Sequence, residues 1–331
     1  MARSKISLST MQRSLFLGVI VAFLCQPLLT SGYVHAKTLN VVYPSPAWNS
    51  SLPVSIGRQF GMFTAEGLDV RPAYVRGGHI LIATLLSGEA DFAIMGGITA
   101  ITSINRGADV VIVGGHTAHL DQALIAAKGI STVNELKGKV IGVTGSGGVT
   151  EFATVEALRR KGLVRDRDYR VMFTSNSPMR VNALENGIIQ AAPFSATERG
   201  LLEAKGFPTL FEIGKAIPEL PFVVIVTTNL KAKSQPAEIL AFLKAIRNSI
   251  SLIRSETRKV ILFLSKVDPS ANSETLEKSL NYVVDSFSVS MSKKNIEALA
   301  RAANLKIDGN MDKFFREDFL NKLAGDELKG Q

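Results

Sequence analysis

Residues 139–150 read Lys-Val-Ile-Gly-Val-Thr-Gly-Ser-Gly-Gly-Val-Thr. Val140–Val143 is a short, β-branched apolar run and predicts a buried strand. Gly145-Ser146-Gly147-Gly148 can turn sharply and carry bare backbone close to another group. From Val149 to Lys161 the apolar residues Phe152, Val155 and Leu158 recur at helical spacing. Strand, glycine turn and helix start together form a cradle of free N–H groups suited to a carboxylate, sulfonate or phosphate. The same sequence is equally a tight turn that holds no ligand. The nucleotide motifs do not fit: no lysine follows the glycines as a P-loop requires, and Thr150 stands where the dinucleotide fingerprint needs a third glycine.

Working outward, the same alternation repeats on both sides. Before this stretch, strands are expected at Leu39–Tyr43, Leu68–Val75, Asp91–Met95 and Val110–Val113, the last stopped by Gly114-Gly115. Helices are expected at Pro53–Phe60, Ile80–Ser87 and Ile98–Arg106. Gln122–Ala127 is a strand that crosses into a second unit, and Ile130–Lys137 a short helix. After the glycine turn come strands at Tyr169–Phe173 and Ile188–Ala192, the latter stopped by Pro193-Phe194-Ser195. Helices follow at Met179–Asn186 and Ala196–Lys205. Phe222–Thr227 returns the chain to the first unit. From Pro236 onward only helices are expected, the first with Ile239, Phe242, Leu243, Ile246, Ile250 and Ile253 on one face and the last at Met311–Leu323. Strand–helix alternation of this kind implies an α/β fold of mainly parallel sheets with flanking helices. Two lobes joined by two crossings can close on each other by hinge motion.

Length and composition agree. The chain has 331 residues, 46% hydrophobic and 20% charged, enough for two cores. The formal charge is +9, of which Arg3, Lys5 and Arg13 supply three within an acid-free N-terminus. No dense basic run with interleaved aromatics is present, so nucleic acid is not an expected partner. Those three bases, the apolar run Leu15–Cys25 and the small residues of Val34-His35-Ala36 read as a secretory signal peptide cut after Ala36. Cys25 offers a lipoprotein alternative, against which Leu24 stands where a small residue is wanted. Cys25 is the sole cysteine, so a cut chain holds no disulfide and no thiol nucleophile. The remaining histidines, His79, His116 and His119, have no acidic or cysteine partners at zinc spacing, so no metal or cofactor is expected. No Ser/His/Asp or paired-carboxylate arrangement is readable, so no enzyme is expected. The expected division is a signal peptide over 1–36, a first lobe over 37–121 and 222–331, and a second lobe over 122–221.

Four strings carry a family resemblance. Gly57–Val70 follows the pattern G-x-F-x-x-E-G-L-x-V, and Leu86–Ala93 follows L-x-x-G-x-x-D-F. Val133–Val143 follows x-x-D/E-L-K-G-K-x-I-G-V, and Leu184–Ala192 follows L-x-x-G-x-I-D-A-A with Gln190 in place of the aspartate. With the signal peptide and two α/β units, the chain resembles the periplasmic solute-binding proteins of ABC importers. Within them it resembles the branch that binds nitrate, sulfonates, taurine and thiamine pyrimidine precursors. The resemblance implies a two-lobed, type II-like periplasmic-binding-protein fold, a small, anionic organic solute in the inter-lobe cleft, and delivery to a permease in the inner membrane. A monomer is expected. Sensing, with the same fold presented to a membrane receptor, is the alternative, and a biosynthetic enzyme of this fold is a further one. The implied cleft is built from loops after strand ends: Ser45 and Trp48, Gly77 and Gly78, Gly97, His116, Ser146 and Gly147, Ser175 and Asn176, and Phe194. Trp48 reads equally as a packing residue or a ligand platform. Arg76 and Arg180 are the nearby bases, each either a ligand partner or a solvated surface arginine. These loops carry no strong acidic cluster, which argues against a cationic ligand.

Overall fold

The computed structural model describes residues 36–329 except Gly147, Ser175, Asn176, Ser270 and Asp308. The expected signal peptide, Ala36 apart, lies outside the described residues, as do three of the expected cleft residues (Gly147, Ser175 and Asn176).

The chain opens with β1 (Lys37–Tyr43), α1 (Leu52–Gln59), α2 (Met62–Ala65), β2 (Leu68–Tyr74), α3 (Gly78–Leu86), β3 (Phe92–Gly96), α4 (Gly97–Asn105) and β4 (Val110–Thr117). It crosses to β5 (Ala123–Ala126), β6 (Val140–Val143), α5 (Val149–Arg160), β7 (Arg170–Phe173), α6 (Ser177–Glu185), β8 (Ala191–Phe194), α7 (Ala196–Ala204), β9 (Thr209–Glu212) and α8 (Ile213–Ala216). It returns through β10 (Val223–Thr228) and α9 (Asn229–Ser234). The helices α10 (Pro236–Ser255), α11 (Thr257–Val267), α12 (Ser273–Val283), α13 (Lys293–Ala302) and α14 (Glu317–Lys329) follow.

The strands form two five-stranded sheets, ordered β2-β1-β3-β10-β4 and β7-β6-β8-β5-β9. Each is mixed, because one strand runs against the rest: β10 is antiparallel to β3 and β4, and β5 to β8 and β9. These two are the strands that arrive from the other sheet. A strand entering from the side where its neighbours end must run opposite to them, and so the crossings set the exception in each sheet. The crossings lie against each other. Phe222 N–H donates to the Thr117 carbonyl at 3.0 Å, and Ile213 N–H to the Gln122 carbonyl at 2.9 Å. Leu120, Ile213, Ile217 and Leu220 are buried there in one apolar core with Met95 of the first sheet and Ile141 of the second. Burying apolar surface across the junction couples the two halves.

The family strings are structural. Asp91 accepts from Asn40 N–H at 2.8 Å and from Lys231 Nζ at 2.9 Å, pinning β1 and α9. Gln190 Oε1 accepts from Val140 N–H at 3.0 Å while its amide donates to Gly187 at 2.7 Å. Glutamine thus fills the exceptional position by bridging β6 to the turn before β8. On α10 the expected face is buried throughout, with Phe242 stacked on Phe92 at 4.1 Å between ring centres.

Several expectations are corrected. β4 does not stop at Gly114-Gly115 but runs on through His116 and Thr117, paired with β10. Glycine serves close packing there, since a Cβ on Gly115 would lie 2.7 Å from the Ser288 carbonyl oxygen. β8 begins later than expected and continues through Pro193, opposite Leu124. The Pro193 carbonyl accepts from Arg180 Nε at 2.9 Å, a side-chain donor beyond the stretch where β6 pairs with β8. Residues 130–137 hold only a 3-10 turn at Val133–Leu136. The last helix begins at Glu317, after a 3-10 turn at Met311–Lys313. Sequence reading passed over β9, α8 and α9, all short.

Candidate functional site

A cavity of about 440 Å³ opens where the strand ends of both sheets and both crossings meet. Ser45, Ala47 and Asn49 enter it from the loop after β1, Gly96 from the end of β3, and Thr117 from the end of β4. Asp121 and Gln122 come from the first crossing, and Phe222 and Val223 from the second. Ser177 and Arg180 of α6 and Ser195 and Glu198 around the start of α7 form the facing wall. Phe287 adds an apolar surface. The volume falls in the range of small-ligand pockets.

Arg180 is the cation of this wall and is 3% exposed. Its Nε donates to Pro193, one terminal nitrogen to Thr144 Oγ1 at 2.9 Å, and the other to Ser177 Oγ at 3.1 Å. The guanidinium carbon sits 5.2 Å from the centre of the Phe194 ring. Three hydrogen bonds and a ring face therefore fix the fork in place. Burial lowers its pKa, and the charge of Glu198 opposes that. Among the described residues, no carboxylate comes within ion-pair distance of Arg180. A buried guanidinium held this way is a ready partner for a bidentate anion.

The two carboxylates of the cavity differ. Glu198 accepts from Ser195 N–H at 2.9 Å, from Ser195 Oγ at 2.8 Å and from Ser177 Oγ, closing the capping box of α7. Asp121 accepts from Asn49 Nδ2 at 3.0 Å. Burial pushes its carboxyl up, and the Asn49 hydrogen bond only partly offsets this. Beside it, Gln122 Oε1 is buried with no hydrogen-bond partner among the described residues. Neither acid was anticipated from the loops. Asp121 lies in the first crossing and Glu198 carries a capping signature, Ser195-x-x-Glu198, that sequence can show but not place.

The expected site residues distribute as follows. Ser45 lines the cavity. Trp48 lines an adjoining recess of about 320 Å³ that shares Ala47, Asn49, Ser195 and Glu198 with it and is closed by Val267 and Asp268. Phe194 is fully buried beneath Arg180. His116 is fully buried in β4, its Nδ1 3.2 Å from Thr117 Oγ1 and its ring edge-on to Phe287. Burial lowers its pKa to about 3. Gly97 packs beneath Leu299, and Gly78 beneath Thr99. Gly77 adopts φ +101 ahead of α3. Ser146 is exposed and outside the cavity lining, and among the described residues beside the glycine turn it is Thr144 that holds Arg180. Arg76 is not among the lining residues.

A second groove of about 360 Å³ runs along α5 and α13. Four of its charges pair with one another: Arg160 with Glu219 and, at 2.8 Å, with Glu156, which Arg159 also holds at 2.7 Å, while Arg301 lines the groove beside them. Among the described residues no group of histidine, cysteine and acids could hold a metal ion, and no helix is long and apolar enough to cross a membrane.

Comparison with known proteins places this geometry. The chain is 23% identical over 216 residues to the Bacillus subtilis (strain 168) protein named "Putative binding protein YtlA". That match takes in 63% of this chain and 64% of the relative's length. The fold is similar to the periplasmic aliphatic sulphonate binding protein SsuA from Escherichia coli. The TM-score is 0.69 at 18% identity, over 81% of this chain and 86% of that one. It is also similar to the alkanesulfonate-binding protein SsuA from Xanthomonas axonopodis pv. citri bound to MOPS. There the TM-score is 0.62 at 18% identity, over 81% of this chain and 91% of that one. The architecture is therefore the periplasmic-binding-protein fold. The model of the NMT1/THI5 like family matches residues 48–257, more than half of the chain and every segment that lines the cavity except its first loop residues and Phe287, so the chain belongs to the NMT1/THI5-like family.

Proposed function

We propose that this chain is the extracytoplasmic solute-binding component of an ABC importer. It binds a small organic anion between a first lobe over 37–121 and 222–331 and a second lobe over 122–221, and hands it to a membrane permease. The signal peptide read over 1–36 would deliver it to the periplasm. It does no chemistry on its cargo. The observation that carries this reading is Arg180: a buried guanidinium, rigidly held and without an acidic partner within ion-pair distance, in the wall of a cavity floored by both crossings. Removing such a charge from water is costly unless an anion compensates it. The relatives' names, binding protein and sulphonate binding protein, support the same class.

The test is a thermal-shift screen of protein unfolded and refolded to strip carried-over solute. The probes are alkanesulfonates, aromatic carboxylates, nitrate and aminopyrimidines. A ligand at one hundred times its Kd stabilises the folded state by about 2.7 kcal/mol. The expected result is a raised melting temperature with at least one acid, abolished in Arg180→Gln. If no acid moves the melting temperature, or Arg180→Gln binds the acid as tightly as the parent, the reading fails.

A further inference from the structure

We infer that Asp121, on the first crossing, is a specificity-determining residue that receives a protonated amine of the bound solute, so that the cargo carries an ammonium group as well as the acidic head taken by Arg180. This rests on the binding reading above and narrows it.

The argument begins with charge. Two carboxylates and one guanidinium line the same cavity. An acid with no compensating cation would add a second net negative charge to a partly desolvated space, where Coulomb repulsion is several-fold stronger than in water. An ammonium group on the same molecule removes that excess. Glu198 is not its natural seat, because two serine hydroxyls and a backbone N–H already occupy it. Among the described residues Asp121 receives one side-chain hydrogen bond, from Asn49, and keeps acceptor capacity.

Hydrogen-bond accounting points the same way. Gln122, the next residue, buries its Oε1 with no donor among the described residues. An unpaired buried acceptor costs about 1–3 kcal/mol. An ammonium group has three donors, enough to serve Asp121 and Gln122 together. A side-chain amide can turn over, so the sign of the ligand group is read from the carboxylate and not from the amide. Between Arg180 and the crossing, Phe222 and Phe287 supply an apolar wall for the carbon spacer. Asp121 also adjoins Leu120, which packs against the second crossing, so an ammonium held there would touch the hinge itself.

The experiment measures affinity by calorimetry for matched pairs differing only in the amine: 3-aminopropanesulfonate against propanesulfonate, 3-aminopropanoate against propanoate, and 4-(aminomethyl)benzoate against 4-methylbenzoate. The expected result is at least a ten-fold preference for the amine in one pair or more, lost in Asp121→Asn, while the amine-free acid, relieved of one like charge, binds that variant more tightly than the parent. Glu198→Gln serves as the control and retains the preference. Equal or tighter binding of the amine-free members, or a preference that survives Asp121→Asn, overturns the assignment and leaves the anion reading standing. If no member of any pair binds, both fall together.

Discussion

Tyr282 Oη donates to Glu203 Oε2 at 2.7 Å, and the Arg199 guanidinium carbon lies 3.9 Å from the centre of the same tyrosine ring. These contacts join α12, in the C-terminal helices, to α7 beside the second sheet. Arg199 also holds Glu203 at 2.9 Å and Glu212 at 3.2 Å, so one phenol sits on an ion-paired network. Replacing Tyr282 by Phe removes the charged hydrogen bond and keeps the ring over Arg199. The expected cost is about 1 kcal/mol in urea unfolding, reduced from that of a buried charged pair by solvent screening. An unchanged unfolding midpoint would show that the phenol contributes nothing.

The same network sets part of the acid sensitivity. Burial alone would raise the Glu203 carboxyl, but hydrogen bonds from Tyr282, Arg199 and Thr209 outweigh it and bring it down from 4.5 to about 2. A carboxyl depressed in the folded state stabilises the protein above pH 4.5, and that stability is lost as pH falls toward 2. Glu203→Gln should therefore lose stability less steeply than the parent between those pH values. Equal slopes in acid titrations followed by circular dichroism would contradict the assignment.

His116 acts over a higher range. Fully buried in β4, it is held neutral, with a pKa near 3 instead of 6.5. The unfolded chain binds the proton more readily, so stability falls as pH drops from 6.5 toward 3. His116→Gln should flatten that limb of the stability curve, whatever it does to stability at neutral pH. A parent and variant that run parallel from pH 6.5 to 4 would place the imidazole in contact with water.

How far the sequence could be read is itself instructive. The long periodic element α10 was legible because burial of one face imposes a helical spacing that composition cannot hide, whereas on α5 Phe152 and Val155 of the expected stripe are only half-buried and Ala153, Ala157 and Leu158 face the core. The two crossings were legible as strands out of alternation. Their reversed direction was not, since nothing in β5 or β10 marks which way a strand runs. One glycine pair misled. Gly114-Gly115 looked like a strand stop and proved to be a place where another chain segment packs on β4. Of the Gly145–Gly148 turn, Gly147 lies outside the described residues, and the neighbouring Thr144 hydroxyl holds Arg180. Asp121 and Gln122 were invisible because a site residue in a crossing belongs to no motif, and only the meeting of two distant segments gives it a role.

The crossings offer a further test. A Cβ on Gly214 would collide with the Leu120 carbonyl oxygen and lie 2.6 Å from the His119 ring. The obstacle on one side is backbone, which cannot rotate away, so Gly214→Ala must part the two crossings. Overpacking of this kind costs about 1–3 kcal/mol. The variant should melt lower and also bind its solute more weakly, because Asp121 follows Leu120 directly. A variant that melts like the parent would mean that the crossings separate freely.

The last prediction sets two residues of the expected cleft against each other. Trp48 lines the recess beside the cavity and packs partly against the core that holds Phe92 and Phe242, whereas Ser146 is exposed and belongs to neither lining. A side chain can affect affinity through direct contact or by holding a group that makes contact. Trp48 meets the first condition through surfaces it shares with Asn49 and Glu198, and it is large enough to close the mouth over a bound acid. Ser146 meets neither, since the hydroxyl that steadies Arg180 from this turn is that of Thr144. Trp48→Ala should therefore weaken solute binding by about ten-fold, roughly 1.4 kcal/mol, and Ser146→Ala should leave it unchanged. Thr144→Val, which removes one of the three bonds on Arg180, should fall between them. Calorimetric titration of the three variants with the tightest acid from the screen checks the order. A Ser146 variant weaker than the Thr144 variant would return the glycine turn to the centre of the site.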